Sequence, residues 1–591
     1  MTFSQPQHHF SQAEAKVRAA IAELAGHIFG KEVADRSLPI STPPANVAGD
    51  FCLACFELAK ALAKPPAEVA KQLAEQINAH IAAKPQLLTH AQAAGPYVNI
   101  AVEPSAYAQL VLREIKKAGA RYGQGKPRKP KRVMIEYFSP NTNKPLTIGH
   151  LRNITLGWSV ARLLKFLGHK VIESTIYNDR GIAIAKTILA YQRWGNNATP
   201  QTAGLKPDHF VGSFYVRFNA EAEKDAGLEQ AAQQVLQLWE QGDAAVIGIW
   251  QKLLHWVLEG FSQTLKDLGV GEFDERYYES EMYQLGKEVV EQGLRTGVFT
   301  QGSDGVVLAK LEKYGLPDKV VLRSDGTSVY ITQDLHLASL KAKHDLDASI
   351  YVVASEQDLY LKQVFKIIEL LNLPGSGVTH HLSYGMIRLP DGKIKSRQGL
   401  VSGTGADEVI AELKELARQE ISKRQPEIDG KALEHRSRQI ALAALKFYIL
   451  QVDPKTTMIF DPHRSIALTG HTGPYVQYVH ARISSIFEKS TTKLPARVTA
   501  SATLVPSEFA LIKILARFPS AVADATERYA PSILADYLYE LARTFSVFYE
   551  QVPVLQAEVK LRRQRLLLLQ CVATVLRSGL ELLGIEAPEK M

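Results

Sequence analysis

Cysteine is scarce in this chain, with only three among 591 residues. Three thiols cannot build a disulfide framework, which favours a reducing compartment. Long apolar runs are also missing: residues 440–452 and 566–576 fall short of the ~20 residues that span a bilayer, and Lys446 and Gln570 interrupt them. The N-terminal residues contain no charged segment followed by an apolar run, so they do not predict a secretory signal. We therefore expect a soluble, cytoplasmic protein with no membrane partner.

The composition is that of an ordinary globular protein. Its 46% of apolar and 22% of charged residues exclude a largely disordered or fibrous chain, and its length requires several hydrophobic cores. The net charge is +8, and the short segment KPRKPKR at 126–132 holds five positive charges. Basic flanks around a more acidic centre favour contact with a polyanion at the periphery. Random variation of solvated surface charge explains the same distribution equally well.

Glycine and proline divide the first part of the chain into short segments. We expect an N-terminal α+β domain at 1–120, followed by a basic linker at 121–132. Within the domain the patterns predict a helix at 11–30, a helix at 51–63 capped by Asp50, a helix at 67–83, a strand at 96–100 and a helix at 105–118.

After the linker the pattern changes to alternating strands and helices. A strand at 132–138, a helix at 149–167 and a strand at 170–177 follow one another closely, which implies a right-handed parallel unit. The apolar run at 349–354 is typical of a buried parallel strand, and a helix at 359–371 follows it. We therefore predict an α/β multidomain protein with a Rossmann-type parallel-sheet domain at 133–400, a helical insertion at about 187–310, a connecting helical segment at 401–454 and an all-α bundle at 455–591.

A Gly149–His150 pair opens the helix that follows the first strand of this sheet. Ligands of such folds bind at the carboxyl edge of the sheet, and the free amides of a helix N-terminus favour phosphate. Gly149 lets a ligand approach the backbone, and His150 can donate a hydrogen bond to a phosphoryl oxygen. A helix start with a solvent-exposed histidine is the plain alternative, and the dipeptide alone does not decide between the two.

A second cationic segment follows about 240 residues later, where a Pro-Asp-Gly turn precedes Lys393, Lys395 and Arg397. Such a loop can close over a triphosphate and neutralise the charge that builds on departing pyrophosphate. Taken alone, the segment would be interpreted as a solvated basic loop. Together with the Gly-His turn in an α/β context, it resembles the paired HIGH and KMSKS signatures of class I aminoacyl-tRNA synthetases.

A wider resemblance to one family, the arginyl-tRNA synthetases, covers nearly the whole chain. The segments that carry it are FSPNTNKPLTIGHLRN from Phe138, IYNDRG from Ile176, SVYITQDL from Ser328, SEQDLY from Ser355, TGPYVQYVHARI from Thr472 and the C-terminal LLGIEAPEKM. The resemblance makes the parallel-sheet domain catalytic and the C-terminal bundle anticodon-binding.

The chain departs from the two signatures in two places. Thr147 stands where the first motif has histidine; it can still donate a hydrogen bond but carries no charge. Lys395 stands where the second motif has serine, and its second cation is moved by one place to Arg397. The resemblance offers Lys144 as an added phosphate contact. We expect these changes to affect rates rather than the reaction.

The resemblance implies ATP-dependent ligation of L-arginine to the 3′ end of tRNA(Arg) through an arginyl-adenylate. ATP is then a substrate accompanied by Mg²⁺, no metal is held by the protein, and the protein is a monomer. The implied catalytic residues are Lys144, His150, Lys393 and Arg397, and the implied ATP contacts are Thr147, Gly149, His150, Met386, Lys393, Lys395, Ser396 and Arg397.

By the same resemblance, the arginine site comprises Glu136, Asn141, Tyr330, Asp334 and Gln357, with Tyr330 and Asp334 one turn apart on a helix. A guanidinium needs planar carboxylate partners, so Asp334 would pair with it, while Glu136 and Asn141 would hold the amino-acid end. Without the resemblance, Asp334 would be taken for a surface carboxylate. Glu136 lies within an apolar strand, where a buried carboxylate needs a partner.

The resemblance also implies contacts with tRNA. Tyr97 would stack on a base of the D-loop, and Asn99 would read its edge. In the C-terminal region, Tyr475, Gln477 and Arg482 are spaced as in base-stacking surfaces, although a helical core with half-buried tyrosines explains them too.

The C-x-x-C pair at Cys52 and Cys55 has no second pair of cysteines or histidines at zinc spacing. We place it in the amphipathic helix at 51–63, which predicts buried core thiols rather than a metal site.

Two other functions remain open from the residues. A small-molecule nucleotidylyltransferase shares the first motif and the sheet, although basic flanks and a long helical C-terminal domain argue against it. A catalytically impaired RNA-binding paralogue is suggested by Thr147 and the altered second motif.

Overall fold

A computed structural model of the protein describes residues 10–30, 38–44, 47–83, 87–282, 286–324, 330–388, 405–494 and 504–591. Within these ranges no helix combines the length and the apolar composition that crossing a membrane requires. An N-terminal α+β unit, a parallel-sheet unit covered by helices and a helical C-terminal region follow one another along the chain. The expected α/β multidomain class is therefore confirmed.

The N-terminal unit packs helices against a small antiparallel sheet. Its helices are α1 Gln12–Phe29, α2 Phe56–Leu62, α3 Pro66–Ala83 and α4 Pro104–Ala118. Its strands are β1 Ile40–Ser41, β2 Phe51–Ala54, β3 Leu88–Ala94 and β4 Tyr97–Val102, in the order β1-β2-β4-β3. The sequence predicted β4 but neither β1 nor β3.

The predicted helix at 51–63 is wrong over its first part, which forms β2 and pairs with β4. Asp50 caps no helix: its carboxylate accepts a hydrogen bond from Val102 N at 3.0 Å and lies 3.0 Å from Lys513 Nζ of the C-terminal region. A short apolar run fits both the helical and the strand period, and only the pairing with β4 decides between them.

The C-x-x-C cysteines therefore do not share a helix, since Cys52 lies in β2 and Cys55 immediately precedes α2. Both thiols are buried, as expected of core residues. Burial raises the pKa of the Cys55 thiol to about 12, so it is protonated and unreactive at neutral pH.

The central sheet contains strands β5 Arg132–Glu136, β6 Lys170–Tyr177, β7 Glu275–Tyr278, β11 Ala348–Ala354 and β12 Thr379–Tyr384. They lie in the order β12-β11-β5-β6-β7, and every neighbouring pair is parallel. The chain builds outward from β5 to β7 on one side and from β11 to β12 on the other. The strand order therefore reverses between β5 and β11, and open α/β sheets bind ligands at the carboxyl edge beside such a reversal.

The helices between β5 and β7 include the predicted helical insertion. They are α5 Ile148–Phe166, α6 Ile182–Trp194, α7 Pro200–Ala203, α8 Pro207–Ala222, α9 Gly227–Glu240 and α10 Ala244–Asp267. Strand β7 falls inside the range 187–310 that we expected to be helical, so the helical part ends before it. This edge strand reads ERYY and is only half-buried, so no apolar run marked it.

A smaller sheet and further helices complete this unit. The sheet contains β8 Phe299–Gln301, β9 Val307–Ala309 and β10 Lys319–Leu322 in antiparallel pairs. The remaining helices are α11 Glu279–Met282, α12 Gly286–Arg295, α13 Tyr330–Ala342 and α14 Asp358–Leu370.

The C-terminal region is helical, as predicted. Its helices are α15 Ala406–Arg424, α16 Gly430–Leu450, α17 Pro462–Ser465, α18 Gly473–Lys489, α19 Pro506–Ala516, α20 Phe518–Glu527, α21 Pro531–Gln551 and α22 Val559–Leu582. A short parallel pair, β13 Ile387–Arg388 and β14 Met458–Ile459, joins it to the central unit.

Asp407, in the first turn of α15, joins the C-terminal region to the helical insertion. Its carboxylate accepts hydrogen bonds from Lys206 Nζ and His209 Nε2, both at 2.8 Å, and from Thr264 Oγ1 at 3.0 Å. Burial acts to raise the pKa of Asp407, but the hydrogen bonds from His209 and Lys206 lower it to about 2. Asp208, His209 and Asp407 are close enough to share a metal ion. The Lys206 ammonium, 3.2 Å from Asp208, already supplies a cation there.

Gly157, in the middle of α5, provides a test of the packing between this helix and β5. A Cβ at position 157 would lie 2.4 Å from Tyr137 Cβ. Gly157→Ala should therefore destabilise the protein by about 1–3 kcal/mol through overpacking, although alanine is the better helix former. Gly248→Ala in α10 is the matched control, since a Cβ there would meet nothing within 4 Å. Equal unfolding free energies of the two variants in denaturant would contradict this close contact.

His209→Asn should destabilise the protein in a pH-dependent way. The hydrogen bond to Asp407 raises the pKa of His209. A raised folded-state pKa gives stability that is full below the unfolded value of about 6.5 and is lost as pH rises through the folded value. The variant should lose about 1 kcal/mol at pH 6 and less at pH 9, measured by thermal unfolding. His27→Asn, which removes only an exposed pair with Glu23, is the control. A pH-independent loss would exclude the ionised pair as its cause.

Candidate active site

The loop between β5 and α5 is fixed at the point where the strand order reverses. Phe138 has a φ of 68°, in the left-handed region that is uncommon for residues other than glycine. Asn153 of α5 accepts a hydrogen bond from Phe138 N at 2.5 Å and donates one to Val352 O of β11 at 2.6 Å. This one amide therefore links the loop after β5 to strand β11.

His150, in the first turn of α5, has a neutral imidazole with its proton on Nε2. Its Nδ1 accepts a hydrogen bond from Thr147 N at 3.0 Å. Because a backbone N–H can only donate, Nδ1 carries no proton. Although the residue keeps some contact with solvent, burial of its ring and then the nearby Lys144 ammonium lower the pKa of His150 to about 4. At pH 7 His150 can therefore donate a hydrogen bond through Nε2 without carrying a charge.

Thr147, Gly149 and Lys144 surround this histidine. Thr147 precedes the first residue of α5, and its Oγ1 lies 2.9 Å from His150 Nδ1. Its backbone also forms a bridge with Gly405, just before α15. A Cβ at Gly149 would meet nothing closer than Thr147 Oγ1 at 3.5 Å, so the backbone there is open to a ligand. Burial lowers the pKa of Lys144.

Arg152 connects α5 to the strand that leads into the second motif. Its guanidinium is buried and donates to Met386 O at 3.0 Å, Pro454 O at 3.1 Å and Thr456 O at 2.8 Å. Burial lowers the pKa of Arg152 to about 10, which leaves it charged at pH 7. Sequence reasoning gave Arg152 no role. The second-motif residues Lys393, Lys395, Ser396 and Arg397 lie outside the described residues.

Asp334, on α13, is not a freely solvated surface carboxylate. It accepts a hydrogen bond from Tyr360 Oη, and burial raises the pKa of Asp334 to about 6. The nearby Glu136 raises this pKa further, while Lys341 and the Tyr360 hydrogen bond lower it. Tyr330 begins the same helix one turn earlier, as the sequence predicted.

Glu136, at the carboxyl end of β5, is only 5% exposed and has a partner that was not predicted. Lys341, near the C-terminal end of α13, places its Nζ 2.7 Å from Glu136 Oε2. The same ammonium lies 3.7 Å from the centroid of the Tyr351 ring on β11. A buried carboxylate in an apolar strand requires such compensation, so the expectation of a partner is confirmed.

Asn141 and Gln357 lie at the same edge of the sheet and are exposed. Asn141 forms a backbone bridge with Asn178, which follows β6. Gln357 closes the short 3₁₀ turn after β11 and precedes α14. The loops that carry these two side chains therefore lie at the carboxyl edge of the sheet, beside β5 and β11.

Two further carboxylates at this edge had no role in the sequence interpretation. Asp179 of the IYNDRG segment is fully buried and accepts hydrogen bonds from Ser280 N at 2.8 Å and Ser280 Oγ at 2.7 Å. Glu279 is also buried; burial raises its pKa to about 7, with Arg180 acting against the shift and Asp334 adding to it. The IYNDRG segment could be recognised in the sequence, but its contact with α11 could not be predicted from it.

The predicted D-loop contacts differ in exposure. Tyr97 is 41% exposed, and its ring makes an edge contact with the ring of Phe56, also exposed, at a centroid distance of 5.7 Å. These two rings offer a surface on which a base can stack. Asn99 is buried in the sheet, and its Oδ1 has no hydrogen-bond partner among the described residues.

The predicted contacts in the C-terminal region are largely internal. Gln477 is fully buried and donates to Glu586 O at 2.7 Å, which holds the C-terminal segment against α18. Tyr475 Oη lies 2.9 Å from Ser546 Oγ of α21. Arg482 donates to Tyr478 Oη. The structure therefore does not bring Gln477 to the surface. The tyrosines of this face are half-buried, as in the alternative of a helical core.

Comparison with known proteins covers all three parts of the chain. The family described as tRNA synthetases class I (R), catalytic domain, matches residues 112–461. The Arginyl tRNA synthetase N terminal domain matches residues 11–102, and the DALR anticodon binding domain matches residues 476–591.

Full-length relatives and a solved structure agree with these matches. An arginine–tRNA ligase of Treponema pallidum is 38% identical and is matched over 97% of this chain and 99% of its own length. One from Porphyromonas gingivalis is 36% identical, with 98% and 99% covered. The solved arginyl-tRNA synthetase of Thermus thermophilus is 28% identical, with 97% and 100% covered and a TM-score of 0.81. The chain therefore belongs to the arginyl-tRNA synthetase family of class I aminoacyl-tRNA synthetases.

Proposed function

We propose that this protein ligates L-arginine to the 3′ end of tRNA(Arg), using ATP and passing through an arginyl-adenylate. The observation that carries the proposal is a pair of sites at one edge of the sheet. One holds the carboxylates Asp334 and Glu136, which suit the two positively charged groups of arginine, and the other is the helix start at His150, which suits phosphate. Membership of the family supports the same reaction.

In the first step the arginine carboxylate attacks the α-phosphorus of ATP, and the bond to pyrophosphate breaks. ATP arrives with Mg²⁺ as part of the substrate, and we propose no metal held by protein ligands. His150 donates through Nε2 to a phosphoryl oxygen, and this contact strengthens as negative charge develops there. Lys144 adds a positive charge on the same side. The remaining proposed ATP contacts are Thr147, Gly149, Met386, Lys393, Lys395, Ser396 and Arg397, with Lys393 and Arg397 neutralising the pyrophosphate.

The arginine side chain is selected by its guanidinium. Asp334 accepts from it in a charge-assisted contact, within a half-buried site where burial raises the pKa of Asp334. Tyr330 lies one helical turn before Asp334. Glu136 and Asn141 hold the amino-acid end, so that the carboxylate faces the phosphate site, and Gln357 completes the arginine site.

In the second step the ribose 2′-hydroxyl at the tRNA 3′ end attacks the arginyl carbonyl of the adenylate, the bond between that carbonyl and the phosphate breaks, and AMP and the hydroxyl proton leave. We propose that the N-terminal domain, residues 1–120, meets the D-loop through Tyr97 and Asn99. The helical domain after residue 455 meets the anticodon arm through the surface around Tyr475 and Arg482, while the buried Gln477 holds that surface from inside. The linker at 121–132 and the segment at 401–454 connect these domains to the catalytic domain at 133–400. We further propose a cytoplasmic, monomeric enzyme.

The first test is arginine-dependent exchange of pyrophosphate into ATP, with and without tRNA. The family resemblance implies that tRNA must bind before the amino acid is activated, so exchange should be nearly absent alone and appear when tRNA(Arg) is added. Exchange without RNA would contradict the coupling but not the substrate. Activity with a small molecule in place of arginine would instead indicate a nucleotidylyltransferase, and RNA binding without exchange would indicate an impaired paralogue.

Asp334→Asn should raise the arginine KM by ~100-fold or more and leave the ATP KM nearly unchanged. The substitution removes the charge of a buried partner, which costs about 3–5 kcal/mol. Asp304→Asn, at an exposed turn of the small sheet, is the matched control and should behave like the unchanged protein. An arginine KM that moves by less than about threefold, roughly 0.7 kcal/mol, would show that Asp334 does not bind the guanidinium.

A further inference from the structure

Lys341 is an unexplained charge at the arginine site. It lies two helical turns after Asp334 on α13, is 1% exposed, and places its ammonium 2.7 Å from Glu136 Oε2. A lysine is almost never buried so completely without a partner, because burial disfavours its charged form. Burial alone would lower the pKa of Lys341. Electrostatic attraction to Glu136 and Tyr351 outweighs this effect, so the pKa of Lys341 is raised. The ammonium is therefore a permanent charge inside the site.

We propose that Lys341 is a positioning residue that sets the charge of the arginine pocket. By pairing with Glu136, it leaves one net negative charge between Glu136 and Asp334, which matches the single net positive charge of arginine with its ammonium, carboxylate and guanidinium ionised. It also fixes the Glu136 carboxylate, through Oε2, at the carboxyl end of β5. This inference rests on the proposed function, since it concerns the same arginine site.

Electrostatic coupling between the two carboxylates is what makes this charge necessary. A negative charge close to a carboxyl group disfavours ionisation of that group, and a nearby cation opposes this effect. Glu136 raises the pKa of Asp334, and Lys341 lowers it. Without Lys341, the ionised Asp334 that binds a guanidinium would form only at higher pH. The ammonium thus keeps the guanidinium partner ionised in the physiological range.

Other ionisable groups also face these three residues. Tyr351 of β11 and Tyr277 of β7 lie beside Lys341 and Glu136, and Tyr360 of α14 donates to Asp334. Glu279 of α11 lies beside Asp334, and Lys319 places its Nζ 4.9 Å from the Tyr360 ring. Burial raises the pKa of Tyr277 to about 12, so this phenol is neutral throughout the range of the test. Glu279 titrates near pH 7 and is the group to control for.

The test measures the arginine KM between pH 5.5 and 8.5 by pyrophosphate exchange in the presence of tRNA. In the unchanged protein the KM should rise as pH falls below about 6, where Asp334 takes up a proton. We call the pH at which the KM begins to rise the break. Lys341→Met, which keeps the length of the side chain but removes its charge, should raise the KM at least ~10-fold at pH 7. It should also move the break upward by about one pH unit or more. The kcat at saturating arginine should change by less than about threefold, and Lys341→Arg should restore both the KM and the break.

A second pair of variants keeps the test decisive if Lys341→Met does not fold. Glu136→Gln leaves Lys341 beside Asp334 without its counter-charge, so the break should move below its normal position. Adding Lys341→Met to Glu136→Gln removes both charges and should return the break upward by about one unit. Glu279→Gln, tested alone, should leave the break near 6, which separates its titration from that of Asp334.

The outcomes distinguish this inference from the function on which it rests. No arginine-dependent exchange by the unchanged protein with tRNA would overturn both. Exchange that is retained while Lys341→Met shows an unchanged KM and an unmoved break would overturn this inference alone. A raised KM with an unmoved break in both variant pairs would also overturn it, because that result describes a packing role and not a charge.

Discussion

The buried guanidinium of Arg152 is the interaction on which the arrangement of the active site depends. A charge in the interior is costly unless its donors are satisfied, and here three backbone carbonyl oxygens accept from it. One of them belongs to Met386, before the second motif, and two belong to Pro454 and Thr456, in the loop between α16 and β14 of the C-terminal region. Arg152 itself follows His150 closely on α5. Arg152 therefore links three parts of the protein: the helix start at His150, the entry to the second motif and the C-terminal region. A displacement of one of these parts would disturb the hydrogen bonds that hold the other two.

The central sheet could be predicted from the sequence because its first unit obeys every local rule. The strand at 170–177 and the helix at 149–167 were found nearly to the residue, since apolar period, glycine stop and β-branched content agree there. Prediction failed where local signals are weak. Residues 51–54 form a strand only because β4 lies beside them, and β7 is a half-buried edge strand with polar residues. Such elements depend on partners far along the chain, which a single sequence does not reveal.

The active site shows the same division. Resemblance supplied Asp334 and Glu136, and the residues alone already required a partner for a buried carboxylate. Lys341 could not be identified in advance, because one lysine on a helix becomes significant only when α13 packs against the end of β5. Conversely, Gln477 was expected at an RNA surface but holds the C-terminal segment from inside the bundle. Spacing along a helix predicts a shared face, but it does not determine whether that face meets solvent or protein.

The two halves of the proposed site favour ligand groups of opposite charge. At the phosphate end, His150 is held neutral beside Lys144, so the helix start presents donors without another full charge. At the proposed arginine end, burial raises the pKa of Asp334 to about 6, which means that the folded chain already bears part of the cost of removing this carboxylate from water. A guanidinium that enters relieves this cost, whereas a neutral side chain of similar shape does not. Under the proposed function, preference for a cation is therefore a property of the unbound fold.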